Sequence, residues 1–186
     1  MAARIICLII LLLEARALSL TDMGMGWRRF AFYTQLSNAA AAVSALALVV
    51  FGQTPATALL RYLGCCMLVM TFFVTSCILV PGGGNARELL FSGSGLYLHL
   101  IIPAVSVGSY LVLELHASSP AAIAVSTTLT FIYGMLMLYL NYRGAVDGPY
   151  PFFRVKDSPW WKTALYMAGL TLAIGLISLG VYALGK

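Results

Sequence analysis

The chain has 186 residues, of which 61% are hydrophobic and only 9% are charged, with a formal net charge of +5 and a mean hydropathy of +0.94. A soluble globular domain carries about 25% charged residues. The composition therefore excludes a soluble globule and predicts an integral membrane protein.

Apolar stretches recur along the whole chain, and each is close to the roughly 20 residues that a helix needs to cross about 30 Å of hydrocarbon. We count six of them, separated by short loops that leave no room for a soluble domain. The sequence therefore predicts an all-α, polytopic membrane protein: one domain, residues 1–186, built as a single bundle of six transmembrane helices. The predicted helices cover residues 3–20, 30–51, 59–80, 95–115, 120–141 and 160–184.

The first stretch also has features of a secretory signal peptide. Arg4 precedes an apolar run, and residues 15–17, Ala-Arg-Ala, are similar to a small-residue cleavage site. Glu14 immediately before that site is atypical, and the apolar character resumes at Leu18. We predict a retained first helix and keep a cleaved signal peptide as the alternative.

The second stretch opens with a polar cluster inside an otherwise apolar span. Ser37 and Asn38 come three and four residues after Thr34, a spacing that puts all three side chains on one face of a helix. The alanines at 39–42 then form a small-residue surface that a neighbouring backbone can approach closely, and we interpret it as a packing surface.

The fourth stretch holds a histidine, His99, within apolar sequence and four residues before Pro103. An ionisable side chain in such a segment is costly, and by default it faces protein or water and marks a function. Proline has no amide to bond to the carbonyl of residue 99, so any kink is expected to centre on the histidine. Thr34 lies about five residues inside helix two and His99 about four to six inside helix four, so at about 1.5 Å per residue they share a depth. We expect the two side chains to meet across the bundle, near one membrane face.

The fifth predicted helix ends at the same membrane level with Tyr142 and Arg143. The loop that follows, residues 144–153, contains glycines and prolines but also large residues such as Tyr150 and Phe152. We predict that this loop packs back onto the helix ends as a lid or an interfacial anchor.

Basic residues divide unevenly between the two sides of the predicted bundle. The connections 1–2, 3–4 and 5–6 share one side, which holds eight basic residues against three on the other and is therefore predicted to be cytoplasmic. The eight are Arg16, Arg28, Arg29, Arg87, Arg143, Arg154, Lys156 and Lys162.

Three motifs together resemble a known family. The pattern around Thr34, the element from His99 to Pro103 and the Pro-Tyr-Pro-Phe loop at 149–152 resemble, in order and spacing, the androgen-induced membrane protein family, which includes the androgen-dependent regulator of tissue factor pathway inhibitor. The resemblance covers most of the chain, and order, spacing and hydropathy carry it because each motif is short. The family consists of multi-helix intramembrane hydrolases that cleave fatty acid esters of hydroxy fatty acids with a threonine nucleophile and a histidine. The short loops of this compact chain are more similar to a bacterial relative than to the longer animal members.

The resemblance implies ester hydrolysis with Thr34 as the nucleophile and His99 as the general base. A threonine hydroxyl needs a base to take its proton, and neutral imidazole suits that task near pH 7. The developing oxyanion needs hydrogen-bond donors aimed at it. The candidates for binding the oxyanion or the substrate are Asn38, Ser37, Tyr142 and Arg143.

No carboxylate that would orient the imidazole is obvious in the sequence. Asp147 is one candidate, although it also suits a turn. Arg143, or Arg28 with Arg29, is a candidate to hold a free carboxylate of the substrate, and membrane topology also accounts for these arginines. No metal and no cofactor are predicted. The expected partners are the membrane and a lipid substrate with an acyl chain, not nucleic acid, and the expected location is a bacterial inner membrane.

Two interpretations without catalysis stay open. A threonine in a membrane helix usually bonds the carbonyl one turn back and a lone histidine can bridge helices, which would make the protein a lipid-binding or scaffold bundle. A small transporter also needs buried polar groups, but the second to fifth helices hold no second intramembrane carboxylate for a relay with His99. The other histidine, His116, lies beside Glu114 at the far end of helix four, where we predict a solvated helix terminus.

Overall fold

The computed structural model describes residues 1–21, 26, 29–146 and 150–186, except for the side chain of residue 151. These residues form helices and the loops between them, with no strand. The long helices are α1 Ala2–Leu20, α2 Tyr33–Phe51, α3 Pro55–Leu79, α4 Gly93–Leu113, α5 Ala121–Tyr142 and α6 Trp160–Leu184. A π-helical turn, Arg87–Phe91, precedes α4, and a short 3-10 turn, Pro151–Phe153, precedes α6.

Five of these helices, α2 to α6, are long and apolar enough to cross a membrane. Such a set of helices is typical of a multi-pass membrane protein. Each of the six predicted stretches overlaps one of the long helices over most of its length. The first helix, α1, differs from the others because it carries Arg4, Glu14 and Arg16 within its length.

Helix α1 packs along both α2 and α4. Its Cys7 and Ile10 lie in a buried cluster with Leu48 of α2, and its Ala17 lies in a second cluster with Ala41 of α2 and Leu98 of α4. The alanine surface of α2 is thus used for packing, as the sequence predicts.

The start of α3 lies earlier than the predicted residue 59. Thr54 caps the helix: its hydroxyl accepts a hydrogen bond from the Thr57 N–H at 3.1 Å, and the Thr57 hydroxyl accepts one from the Thr54 N–H at 2.8 Å. Pro55 suits the first helical position, where its missing N–H leaves no bond unmade. Hydropathy alone does not register such a cap, which is why the prediction began a turn late.

The far end of α4 is not the solvated terminus that the sequence predicts. Glu114 is buried, and its carboxylate accepts hydrogen bonds from Arg61 of α3 at 2.7 and 2.9 Å and from Ser109 at 2.7 Å. His116 donates through Nε2 to the carbonyl of Tyr110 at 2.8 Å. The sequence pattern misses this arrangement because Arg61 reaches Glu114 from a different helix. The pair draws the chain inward and ends α4 at Leu113 and not at residue 115.

Candidate active site

The structure brings Thr34 and His99 together. Thr34 is the second residue of α2, and its Oγ1 lies 3.2 Å from Nε2 of His99 on α4. The histidine is 8% exposed and Thr34 is half-buried. A hydroxyl and an imidazole nitrogen at this separation are within the hydrogen-bonding distance that a nucleophile and its general base require.

His99 lies in a π-helical turn, Tyr97–Ile101, within α4. The N–H of Ile102 bonds to the Tyr97 carbonyl, five residues back, and the next residue is Pro103, which has no N–H to give. The helical distortion predicted at His99 therefore takes the form of a π turn. Such turns are rare in helices and are frequent at functional sites.

A backbone carbonyl orients the imidazole. His99 Nδ1 lies 2.6 Å from the carbonyl oxygen of Leu89, which belongs to the π-helical turn before α4. Because a carbonyl oxygen only accepts, Nδ1 carries the proton and donates it to Leu89, and Nε2 keeps its lone pair for the Thr34 hydroxyl. This tautomer is the one that a general base needs. Asp147, the candidate that the sequence offers for this role, lies outside the described residues.

Gly95 allows the Leu89 carbonyl to come this close. A Cβ atom on Gly95 would lie 2.7 Å from the Leu89 carbonyl oxygen and would overlap the carbonyl oxygen of Glu88. Both contacts are to backbone, which cannot move aside as a flexible side chain does. The absence of a side chain at Gly95 is therefore what lets the turn lie against α4 one helical turn before His99.

For the ester hydrolysis that the sequence predicts, replacing Gly95 with alanine is expected to lower kcat and to leave KM nearly unchanged. The new methyl group displaces the Leu89 carbonyl, so the imidazole loses its orienting partner. The expected loss is about 10- to 100-fold, the effect of removing the second hydrogen-bond partner of a metal-bound histidine. Gly108→Ala on the same helix is the matched control, because nothing lies within 4 Å of the Cβ position at Gly108. Equal kcat values for the two purified variants would contradict the positioning role of Gly95.

Two of the predicted oxyanion donors, Asn38 and Ser37, have their hydrogens engaged elsewhere. Nδ2 of Asn38 donates to the carbonyls of Thr34 at 2.7 Å and Leu98 at 3.3 Å. The Ser37 hydroxyl donates to the Thr34 carbonyl at 3.0 Å and lies 2.7 Å from the hydroxyl of Thr71. Both side chains are buried where α2 meets its neighbours. They hold the first turn of α2 in place and leave no hydrogen for an oxyanion at Thr34.

The other predicted candidates lie apart from the pair. Tyr142 is 67% exposed and Arg143 is also exposed at the end of α5, and neither lines the cavity beside Thr34. Arg29 is buried and donates to the carbonyl of Gly26 at 3.0 Å. Arg28 lies outside the described residues.

The structure instead brings Tyr150 to Thr34. Its side chain is only 6% exposed. Burial raises the pKa of the Tyr150 phenol, and the nearby Thr34 side chain and the backbone of Thr34 and Tyr33 oppose that rise. The phenol therefore stays neutral and keeps its hydrogen beside the Thr34 hydroxyl.

An apolar cavity begins at Thr34 and runs into the bundle. It is narrow, about 40 Å³ in volume, and its walls come from α2, α3, α5, α6 and the segment 150–153. Its deeper lining includes Met70, Val74 and Leu170. His99 does not line this cavity. The Thr34 side chain thus contacts the imidazole and also borders an apolar cavity.

The described part of the predicted lid closes one end of this cavity. Tyr150, Phe152 and Phe153 are all buried. The rings of Tyr150 and Phe152 stack with centroids 5.2 Å apart, and Phe153 meets Tyr133 of α5 edge-on at 6.2 Å. The prediction that this loop packs onto the helix ends is confirmed for these residues, while residues 147–149 lie outside the described ones.

Comparison with known proteins adds no family to this description. No protein-family model, no curated protein and no solved structure matches the chain.

Proposed function

We propose that this protein is an intramembrane hydrolase that cleaves lipid esters, with Thr34 as the nucleophile and His99 as the general base. The observation that carries the proposal is the 3.2 Å separation of Thr34 Oγ1 and His99 Nε2, with His99 Nδ1 held on the Leu89 carbonyl. A threonine that only bonds its own helix, or a histidine that only bridges helices, does not need this chain of three groups. A nucleophile, a base and an orienting acceptor do.

The first half of the reaction transfers the acyl group to the protein. Thr34 Oγ1 attacks the ester carbonyl carbon while His99 Nε2 takes the hydroxyl proton. The tetrahedral intermediate then collapses, the bond to the leaving oxygen breaks, and His99 returns the proton to that oxygen. The products are a free alcohol and an acyl group bound to Thr34 as an ester.

The second half returns the protein to its starting state. Water attacks the acyl carbon and gives a proton to His99 Nε2. The bond to Thr34 Oγ1 then breaks, and the threonine oxygen takes back the proton from His99. A fatty acid leaves, and both catalytic side chains regain their original protonation.

Tyr150 supplies the oxyanion donor in this proposal. Its buried phenol lies near the Thr34 side chain and the backbone of Tyr33 and Thr34, and it lines the same cavity as both residues. We therefore assign its O–H as the donor to the negative charge that develops on the carbonyl oxygen of an ester bound at Thr34. Donors fixed in place before the reaction are the usual means of stabilising such charge.

The proposed substrates are fatty acid esters of hydroxy fatty acids. The cavity has the apolar walls that a hydrocarbon chain requires, although at about 40 Å³ it holds only a few methylene groups until the side chains around it move. Thr34 at the start of α2 suits an ester group near the polar layer of the membrane. The resemblance to the androgen-induced membrane protein family supports the same substrate class. The proposal gives the ester a shallow position and the acyl chain a deep one.

The proposed setting is a six-span bundle in a bacterial inner membrane. In this proposal α1 is the sixth span, in addition to α2 to α6. Its Arg4 and Arg16 lie near its two ends, from which long arginine side chains reach the membrane surface. Its packing against α2 and α4 supports a position within the bundle. Glu14 is then the one acidic side chain of this helix inside the membrane.

The test is to capture the covalent intermediate. Purified protein in lipid vesicles is mixed with an ester of a hydroxy fatty acid, quenched in acid and digested, and the peptide that contains Thr34 is weighed by mass spectrometry. A mass increase equal to the acyl group on Thr34 is expected, together with release of fatty acid. Fatty acid release that is equal in wild type and Thr34→Ala would contradict the nucleophile, and no release by the wild type would favour the scaffold interpretation.

A further inference from the structure

Two apolar hollows share one wall between α5 and α6. The first is the cavity beside Thr34. The second is an open groove of about 800 Å³ whose lining comes entirely from α5 and α6. Phe131, Met167 and Thr171 line both. These three side chains, which we call the partition, therefore separate the outer surface of the bundle from the cavity.

The partition can move without breaking a hydrogen bond between its helices. The end of the Met167 side chain rests against Gly134, where a Cβ atom would lie 2.6 Å from Met167 Cε. Methionine has three rotatable bonds and adapts its shape readily. The Thr171 hydroxyl donates to the Met167 carbonyl within α6 at 2.7 Å. The hydrogen bond from Ser178 to Ser126, which does join α6 to α5, lies about two turns further along α6.

A groove between α2 and α5 also borders the cavity, but hydrogen bonds close it. Tyr33 and Thr130, which line both, are joined through their hydroxyls at 2.9 Å. Tyr133, the third shared residue, donates to the carbonyl of Ala31 at 2.7 Å. Opening this side costs both bonds, whereas opening the α5/α6 side requires only apolar side chains to rotate.

The depth of the partition fits a hydrocarbon chain. Thr171 lies about 16 Å along α6 from Trp160, at a rise of about 1.5 Å per residue, and so near the middle of the bilayer. Thr34 lies at the start of α2, under the segment that leads into α6. The cavity therefore connects the shallow layer, where an ester group resides, with the layer occupied by acyl chains.

We infer that the groove between α5 and α6 is a lateral entrance, through which the hydrocarbon chain of a membrane lipid ester passes between Phe131 and Met167 into the cavity beside Thr34. The statement about the ester rests on the proposed function. The statement about the chain does not, because it concerns only the two hollows and the partition between them.

A reversible lock across the entrance tests this inference. A Cβ atom on Gly175, which lines the groove, would lie 3.9 Å from the Thr127 hydroxyl of α5. This spacing suits a disulfide in a Thr127→Cys/Gly175→Cys variant. Cys77→Ser removes the exposed native thiol, while the other native cysteines are buried. Oxidation then fastens α5 to α6 one turn beyond the partition, and a reducing agent releases them.

The readout is the position of an acyl chain and not turnover. The lock is made in the Thr34→Ala protein, which is placed in phosphatidylcholine vesicles with a hydroxy fatty acid ester whose acyl chain ends in a diazirine. Light is expected to attach the chain to cavity residues such as Met70 and Val74 in the reduced protein. Oxidation is expected to abolish that labelling, and reduction to restore it. Cavity labelling that persists in the locked protein, or that moves to Leu36 and Val43 of the α2/α5 groove, would overturn the inference.

A second variant keeps the test decisive if the disulfide fails to form or distorts the bundle. Phe131→Ala removes the largest side chain of the partition, so cavity labelling is expected to become faster than in the parent protein. Leu129→Ala is the matched control, since Leu129 lies on α5 and lines the α2/α5 groove but not the entrance. Equal labelling rates for the two variants would contradict a gate at Phe131.

The two proposals fail separately in this design. If labelling depends on the lock but the wild type does not hydrolyse the ester, the entrance is supported and the enzymatic function is contradicted. If the wild type hydrolyses the ester through Thr34 but labelling changes neither with the lock nor with Phe131→Ala, the enzymatic function is supported and the entrance is contradicted.

Discussion

Replacing His99 or Thr34 with alanine is expected to reduce hydrolysis of a hydroxy fatty acid ester by about 10⁴-fold or more. Thr34→Ala removes the atom that forms the acyl bond. His99→Ala leaves that hydroxyl with no group to take its proton. The measurement is fatty acid release by purified protein in vesicles, expressed as kcat/KM relative to the wild type.

The double variant gives a sharper result than either single one. Groups that act as one unit lose their contribution together, so Thr34→Ala/His99→Ala is expected to be no slower than the worse single variant. A rate for the double variant that equals the product of the two single losses would show that the two side chains act independently, which the 3.2 Å contact does not predict.

Conservative and distant replacements separate chemistry from packing. Thr34→Ser keeps a hydroxyl at the same atom and is expected to retain measurable turnover. Thr127→Ala and His116→Ala are the matched controls, since Thr127 bonds the Ile123 carbonyl of its own helix and His116 lies at the far end of α4. Thermal unfolding in detergent is followed for every variant. Wild-type turnover by Thr34→Ala, or loss of activity in the controls with the fold intact, would contradict the assignment.

Hydropathy and helical periodicity are sufficient to predict much of this fold. Spans of about 20 apolar residues identify the helices, and counting residues from the helix ends places Thr34 and His99 at one depth. The count is inexact, since α2 starts at Tyr33 and not at residue 30, which makes Thr34 its second residue. It still predicts the contact, because it places the two side chains near the same end of the bundle. Hydropathy does not record helix caps or long-range ion pairs. For this reason it misses the Thr54 cap at the start of α3 and the Arg61–Glu114 pair at the end of α4.

The orienting group of His99 illustrates a different limit. Every residue has a backbone carbonyl, so no residue type marks the Leu89 oxygen as the partner of Nδ1. Gly95, one turn before the histidine, is an indirect sign of this contact in the sequence, because only glycine permits the turn 87–91 to lie so close to α4. Sequence patterns direct attention to carboxylates such as Asp147, and backbone acceptors escape that search.

The predicted oxyanion donors show that sharing a helix face does not make a group available. Ser37 and Asn38 do share the face of Thr34, as their spacing requires. Their hydrogens are donated to the backbone carbonyls of Thr34 and Leu98, because buried polar groups in a bundle must find partners. Tyr150 was visible only as part of an aromatic loop, and its position over Thr34 depends on how that loop folds back.

Replacing Tyr150 with phenylalanine is expected to lower kcat by about 10²- to 10³-fold, the usual cost of removing one oxyanion donor. The phenylalanine ring keeps the stacking with Phe152 and the burial of the segment, so the cavity and its lid stay in place. Only the hydroxyl beside Thr34 is lost. KM is expected to change little, because this donor acts on charge that develops in the transition state.

The protonation state of Tyr150 adds a pH dependence to this result. Burial raises the pKa of its phenol above the ordinary value of about 10, so the hydroxyl remains a donor throughout the neutral and mildly alkaline range. The ratio of wild-type to Tyr150→Phe rates is therefore expected to stay constant from pH 6 to about pH 9, below that ordinary value. A ratio that falls toward one within this range would mean that the phenol ionises early and is not the donor.

Tyr142→Phe is the matched control for this experiment. It makes the same chemical change at a tyrosine that lies 67% exposed at the end of α5, outside the cavity lining. Its activity is expected to equal that of the wild type. If Tyr142→Phe loses more activity than Tyr150→Phe, the oxyanion donor comes from the end of α5, where the sequence places the candidates Tyr142 and Arg143. The loop over Thr34 would then only cover the cavity and take no part in the chemistry.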